Sequence, residues 1–436
     1  MRVFSSLAVR NYRIYAGGAL ISNTGTWMQN TAQAWLVLQL SDSGFILGVT
    51  LAFQLVPTLL LSPIAGVVAD RFPKRKLLAI AQIAMAIPSV ILAVLAISGV
   101  VEVWHVLFIA FIFGVGRAFE APARQSFVAE MVGPADLSNA VSLNSASFNS
   151  GRLIGPAFAG FLIGAFGGGV IATGWVIGLN GVSFLASLYA LKIMDPTELR
   201  PAPTVGRSRG AIGAGLRYVR ARPDLILVLT CVFFLGAFGM NFQITSALMA
   251  TKEFGKGAIE FGVLGTILAV GALTGSLLSA MRARPRLRIV VLSAMAFSAA
   301  QIVSGLMPTY KSYAAILPLV GISIMTMVTT ANALIQMTSS PEMRGRTASL
   351  YLMVFMGSVP IGAPLVGWIA EEFGVRTALI YSGAITAAGV SLAVLWFQRR
   401  ANRTLRSYLH RMRNRRVRQF PAQPLSAPQE VITRIA

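Results

Sequence analysis

The sequence predicts an all-α integral membrane protein: twelve transmembrane helices forming two related six-helix bundles. Three observations lead there. Only 12% of the 436 residues are charged and 55% are hydrophobic, whereas a soluble domain carries roughly 25% charged residues. The hydrophobic residues fall in runs of about 20 or more, the length that crosses a bilayer as a helix. A stretch of the first half also recurs, ungapped, in the second.

The runs predict spans at 14–39, 45–68, 77–99, 103–123, 138–166, 169–192, 224–250, 259–281, 287–307, 312–337, 347–371 and 376–397. The expected units are a six-helix half at 1–195, a linker at 196–223, a second half at 224–398 and a basic tail at 399–436. Basic residues set the orientation. Lys252, Lys256, Lys311 and Arg376 lie on one side, Arg117 and Arg152 fall within spans, and every other Lys and Arg lies on the side holding both chain ends. The positive-inside rule makes that side the cytoplasm. In the linker, Ile212, Leu216 and Val219 recur at helical spacing beside Arg217, Arg220 and Arg222, the pattern of a helix lying on a leaflet. The tail has nine arginines between Arg399 and Arg418, with Leu405, Leu409 and Met412 at helical spacing. It is expected to anchor on anionic inner-leaflet lipid, and 419–436 is expected to be disordered.

Shifting residues 134–167 by 207 makes nine of 34 positions identical. Among them Pro134 meets Pro341, Gly155 meets Gly362, Gly160 meets Gly367, and Phe166 and Gly167 meet Phe373 and Gly374. Spans five and eleven are six apart and cross in the same direction, so the halves are parallel repeats.

Composition also excludes several classes. The net charge of +22 sits in clusters between apolar runs, which fits anchoring to lipid headgroups and argues against nucleic acid as a partner. A single cysteine, Cys231, permits no internal disulfide, and His105 and His410 have no cysteine partners with which to bind a metal. No catalytic triad, phosphate-cradling loop or paired acids stand out, so neither an enzyme nor a cofactor is expected. The basic, polar start and the long first run argue against a cleaved signal peptide.

The join between spans two and three carries Gly66, Asp70, Arg71, Lys74, Arg75 and Lys76. A basic loop alone explains the last three but not Gly66, which lets helices approach closely, nor Asp70, which suits the positive end of a facing helix. The corresponding second-half loop has Gly275, Ser279, Arg282, Arg284, Arg286 and Arg288 and no acid. Span five holds Gly151, Arg152, Gly155, Pro156 and Gly160. The tenth loop and span eleven hold Pro341, Arg344, Arg346, Gly357, Pro360, Gly362 and Pro364. The first cluster is similar to the major facilitator signature G-x-x-x-D-R-x-x-[RK]-[RK], and the span-five cluster resembles the Gly-Pro signature of exporter-type facilitators. Together with Asn11, Arg13, Trp27, Glu120 and Pro122, these residues resemble the branch of the enterobactin exporter and related transmembrane secretion effectors, near the macrolide-efflux facilitators. The resemblance implies a gate formed by Gly66, Asp70, Arg71, Arg75, Arg344 and Arg346. It also implies hinges at Gly151, Gly155, Pro156, Gly362 and Pro364.

Polar residues within spans are costly in lipid. Ser22, Thr26, Gln29 and Gln33 follow 3–4 spacing on span one, with Asn23 and Asn30 beside them; Asn241 and Gln243 lie on span seven, and Asn332 and Gln336 on span ten. Facilitators line their cavity with helices one, four, seven and ten, so the resemblance assigns these residues to cargo. Hydrogen bonding between helices is the competing reading. Arg117 and Glu120 on span four and Arg152 on span five are intramembrane charges, functional by default, against a mutual ion pair that merely neutralises them. Glu120 is the one acid placed to carry a proton. The expected function is secondary, proton-coupled export of siderophore or amphipathic drug-like cargo. A lysolipid flippase or importer of the same fold is the nearest alternative, and a non-transporting receptor or scaffold is the alternative from another class.

Overall fold

The computed structural model describes residues 4–200, 211–282 and 285–415, with side chains except at 63, 211, 212 and 401–415. Among the described residues the chain is helical, with no strand. The first half comprises α1 (Arg10–Ser41), α2 (Gly44–Arg71), α3 (Lys74–Ile97), α4 (Val103–Met131), α5 (Pro134–Ala165) and α6 (Val170–Ile193). A linker helix, α7 (Ala211–Arg220), leads to α8 (Pro223–Gly239), α9 (Phe242–Leu248), α10 (Ala258–Ala280), α11 (Leu287–Leu306), α12 (Tyr310–Thr338), α13 (Arg344–Glu372) and α14 (Val375–Arg415).

Ten helical stretches are long and apolar enough to cross a membrane. The other two long helices, α1 and α5, have 32 residues each. At 1.5 Å per residue that is about 48 Å, well beyond the ~30 Å hydrocarbon core. Their polar faces, described below, keep them below an apolar threshold. With α8 and α9 counted as one broken helix, the described residues hold twelve long helices, six in each half, consistent with twelve crossings.

The halves repeat one packing plan. In the first, α1 packs on α5 and α6, α2 on α4, and α3 on α4 and α6. In the second, α8 packs on α13 and α14, α10 on α12, and α11 on α12 and α14. Between halves, α2 lies along α13 and α5 along α10. The repeated glycines have matched roles. A Cβ at Gly155 would meet Trp27 and Met28 of α1, and one at Gly362 would meet Ala237 of α8. A Cβ at Gly160 would meet Ala258 and Gly262 of α10, and one at Gly367 would meet Gly44 of α2. One repeated glycine therefore closes each bundle and the next joins it to the other half, as small residues do between helices in lipid.

The expected span at 224–250 is one helix; the structure breaks it at Met240–Asn241. The Asn241 side-chain amide donates to the Ala237 carbonyl, the acceptor that the Asn241 backbone amide would use in a continuous helix. The linker helix forms where the spacing placed it, but it docks on protein. Val219 is buried, Gly215 lies against Leu350 and Arg346, and the Tyr218 hydroxyl accepts from the Ser340 amide at 3.2 Å. Helix α14 carries the backbone of the basic tail to Arg415. Its side chains there, the tail beyond 415 and Arg284 lie outside the described residues.

Candidate functional site

The two halves meet tightly on the face opposite the chain ends, here the far face. Gly44 and Gly48 of α2 approach Gly367, Ala363 and Pro364 of α13. Glu371, near the end of α13, accepts from the Ser43 hydroxyl and from the Phe45 amide at 3.0 Å, so it caps the N-terminus of α2 from the other half. Lys252 reaches back to Asp42, 2.8 Å from its carbonyl and 3.4 Å from its carboxylate. Trp35 stacks on Phe261, with centroids 6.1 Å apart. On α5, Pro156 and Gly160 press against Gly262 of α10.

The same face of α5 changes character toward the terminal side. Ser138, Ser142, Ser145, Asn149 and Arg152 continue it at i, i+4, i+7, i+11 and i+14, one stripe on a helix. The three serines are exposed, and Asn149 and Arg152 are partly so. Such a stripe is untenable against lipid tails, so it lines a wet space between the halves. Across from it, Met325, Thr329, Asn332 and Gln336 make a matching stripe on α12, with Gln336 donating to Asn332 at 2.9 Å. The stripes converge where Arg152 points its Nη1 at the Met325 sulfur, 3.8 Å away. The Trp27 ring lies 5.7 Å from the guanidinium.

At the deep end, Asn30, Gln33, Thr50, Gln54 and Gln243 surround a cavity of about 20 Å³, room for about one water. Gln54 donates to Asn30 at 3.3 Å, and the buried Gln33 Oε1 has no hydrogen-bond partner among the described residues. In this conformation that pocket is too small for cargo.

Comparison with known proteins decides the family. The profile described as transmembrane secretion effector matches residues 2–422. The chain belongs to that family, within the major facilitators. It is 25% identical over 378 residues to the multidrug efflux pump Tap of Mycolicibacterium fortuitum, covering 83% of this chain and 90% of that protein. It is 24% identical over 355 residues to the staphyloferrin A transporter of Staphylococcus aureus, covering 80% and 87%. In structure it is similar to a bacterial homologue of the human lysosomal transporter Spinster, at TM-score 0.70, 16% identity and coverage of 90% and 97%.

The candidates read from sequence separate into groups. Gln33 and Gln243 line the deep cavity. Gln29 does not: its Oε1 accepts from Asn180 of α6 at 2.6 Å inside the first half. The Thr26 hydroxyl donates to the Ser22 carbonyl at 2.9 Å on their own helix, and Ser22 is buried. Asn241 is buried at the helix break, whereas Asn332 and Gln336 lie on the α12 stripe. Gly151 packs against the α1 backbone at Asn23, Pro156 against Gly265 of α10, and Pro364 against Gly48.

Among the intramembrane charges, Glu120 contacts Arg124, 3.2 Å away and one turn on, rather than Arg117. Arg124 in turn donates to Asn23 at 3.3 Å, and Asn23 donates to Ser147 at 3.0 Å. Around the signature, Gly66 is buried, Asp70 is half-buried, and Arg71 and Arg344 are exposed. Arg75 donates to the last carbonyls of α6, Leu191 at 2.7 Å and Lys192 at 3.0 Å, a basic C-cap. Lys74 pairs with the buried Glu130 at 3.4 Å. Arg346 donates to the Met343 sulfur at 3.5 Å. Lys74 and Arg75 thus tie the first half together, while Asp70 is half-buried near the end of α2. The α5 stripe, Thr50, Gln54, Arg124 and Asn180 were missed in the sequence. Helical spacing on α5 and the Thr50–Gln54 step were the available signals.

Proposed function

We propose that this chain is a secondary active exporter that carries small molecules across the cytoplasmic (inner) membrane by alternating access, with both termini in the cytoplasm. The observation that carries the reading is the two-part face of α5. It is glycine-packed on α10 at the far face and polar and open at the terminal face. A contact shut at one end and wet at the other is what a rocking two-half carrier presents when open to the cytoplasm. The similarity to Tap and to the staphyloferrin A transporter supports amphipathic drug-like or siderophore cargo. Proton antiport is the proposed drive, with Glu120 as carrier, because it is a buried acid in the middle of α4 beside Arg124. Energised inverted vesicles should accumulate a member of a drug and siderophore panel, and a proton-dissipating agent should abolish that accumulation. Accumulation that ignores the proton gradient would remove the coupling. No accumulation of any panel member would remove the export reading.

One observation favours the lysolipid flippase or importer alternative. A groove lined by Leu153, Ile154, Phe158, Phe161 and Thr266 opens sideways between α5 and α10. Lysolipid movement between leaflets in proteoliposomes, with no accumulation in inverted vesicles, would select it.

A further inference from the structure

We infer that Arg152 is an anchor for an organic oxyanion, so that the favoured cargo carries a carboxylate. This rests on the transport reading above and adds the chemistry of its site. The buried acids of α4 are already taken, Glu130 by Lys74 and Glu120 by Arg124, and two arginines of α4 and α5 are left over. Among the described residues neither Arg117 nor Arg152 has a carboxylate within 4.0 Å. Arg152 carries five N–H donors in a planar fork. Its surroundings offer a thioether at 3.8 Å and an aromatic face at 5.7 Å. Neither is an acceptor of the strength that a guanidinium takes when it is sequestered.

Position completes the case. Arg152 stands at the inner end of the stripe that begins at Ser138, where that face of α5 changes from wet to glycine-packed. The serines and Asn149 give water and solutes a polar path to it. Trp27 and Phe148 form an edge-to-face pair at 5.6 Å, and the cation lies against the Trp27 ring. A carboxylate arriving along the stripe would meet the guanidinium with both oxygens, and an aromatic or conjugated body attached to it would lie beside the Trp27 ring. Met325, from the other half, touches the same group. Cargo bound there would bridge the two bundles at the point where they part.

The same oxyanion chemistry has two sources, a carboxylated solute and an anionic lipid headgroup. The experiment uses purified full-length protein with carboxyfluorescein as the anionic probe and rhodamine 6G as a cationic dye of related shape, both read by anisotropy. Arg152→Gln should weaken carboxyfluorescein binding at least tenfold, the scale of a lost charge-assisted bond, and leave rhodamine 6G unweakened. Arg152→Lys keeps the charge but loses the planar fork, so it should weaken carboxyfluorescein binding less than Arg152→Gln does and leave rhodamine 6G unweakened. Met325→Glu places a carboxylate beside the intact arginine and should also weaken carboxyfluorescein binding tenfold, which covers the case where Arg152→Gln does not fold. Anion binding that is indifferent to Arg152→Gln and Met325→Glu overturns the assignment, as does equal loss of both dyes. Nanodiscs of phosphatidylglycerol or phosphatidylcholine separate the sources. Arg152-dependent retention of phosphatidylglycerol alone, with carboxyfluorescein unaffected, also overturns it. If no dye accumulates in energised vesicles yet anion binding still follows Arg152, the site stands and the export reading falls. If rhodamine 6G accumulates while anion binding ignores Arg152, the reverse holds.

Discussion

Replacing Glu371 with Gln removes one charge from the seal at the far face. Its Oε2 takes the Ser43 hydroxyl and the Phe45 amide, the first free donors of α2. The side chain sits at the water-exposed rim, so the charge–dipole contribution belongs at the low end, about 0.3–1 kcal/mol. The glutamine carbonyl can keep one neutral hydrogen bond, so the net loss stays near about 1 kcal/mol, a factor of about five in a population. The contact crosses from one half to the other, so the loss falls only on the conformation closed at the far face. Dyes at Ser98, just past α3, and Lys311, in the first turn of α12, exposed far-face positions of opposite halves, report that gap by single-molecule energy transfer once Cys231 is replaced. The Glu371→Gln protein should show a three- to fivefold larger far-side-open fraction at low salt, and a smaller difference at 1 M salt, where screening shortens to about 3 Å. Glu372→Gln is the control, because Glu372 is exposed one residue on. An unchanged distribution, or the same shift in both variants, would refute the cap.

Reporter fusions at Asp195 and Arg406 should read cytoplasmic and one at Lys256 the opposite side; an external signal at Asp195 would sink the two-half topology. Gln33→Leu should impair transport with a normal amount of protein in the membrane. Gln29→Leu strands the Asn180 amide at a cost of about 1–3 kcal/mol and should lower the amount of folded protein instead; quantitative blotting beside transport rates separates the two, and equal behaviour would contradict the placement. Glu120→Gln should abolish uphill transport and leave downhill exchange measurable, whereas loss of both together would make the Glu120–Arg124 pair structural.

The span pattern was legible because lipid imposes it. The run read as 45–68 is α2 at Gly44–Arg71, and 287–307 is α11 at Leu287–Leu306. Errors gather where a helix outlasts its apolar run. Helix α4, expected to end at 123, continues to Met131 through two more turns that hold Arg124 and Glu130. The repeat was legible, and its glycines turned out to be paired contacts. The Met240–Asn241 break was not, since a side chain's capture of its own helix's carbonyl leaves no periodic trace. Gln29 and Gln33 lie on one face of α1, and sequence had no means of dividing them. One meets an asparagine from α6, 151 positions away, and the other meets a cavity closed by Gln243.

Helices α2 and α13 run antiparallel, and each has an acid one residue from its end: Asp70 before Arg71, and Glu371 before Glu372. Glu371 occupies the N-terminus of α2. At the other end, α13 begins with no side-chain cap and no acid in its first turn, and with Arg344 and Arg346 at its positive pole, an end that wants an anion. Asp70 is the anion at the facing end. On the proposed rocking cycle this pair of helices would hold two caps made in turn, Glu371 when the far side is shut, as here, and Asp70 when the near side is. Asp70→Asn should shift the population several-fold toward the near-open state, raising the labelling of a cysteine at Ser142, with cargo affinity little changed. Because the caps belong to opposite states, their losses oppose each other. Asp70→Asn combined with Glu371→Gln should return Ser142 labelling to within about twofold of wild type, since losses of about 1 kcal/mol on each side offset. Turnover should then rise, both end states having lost a stabilising contact that must break on every cycle. If the double variant instead lies further from wild type than either single one, the two acids act on the same state and the exchange of caps is wrong.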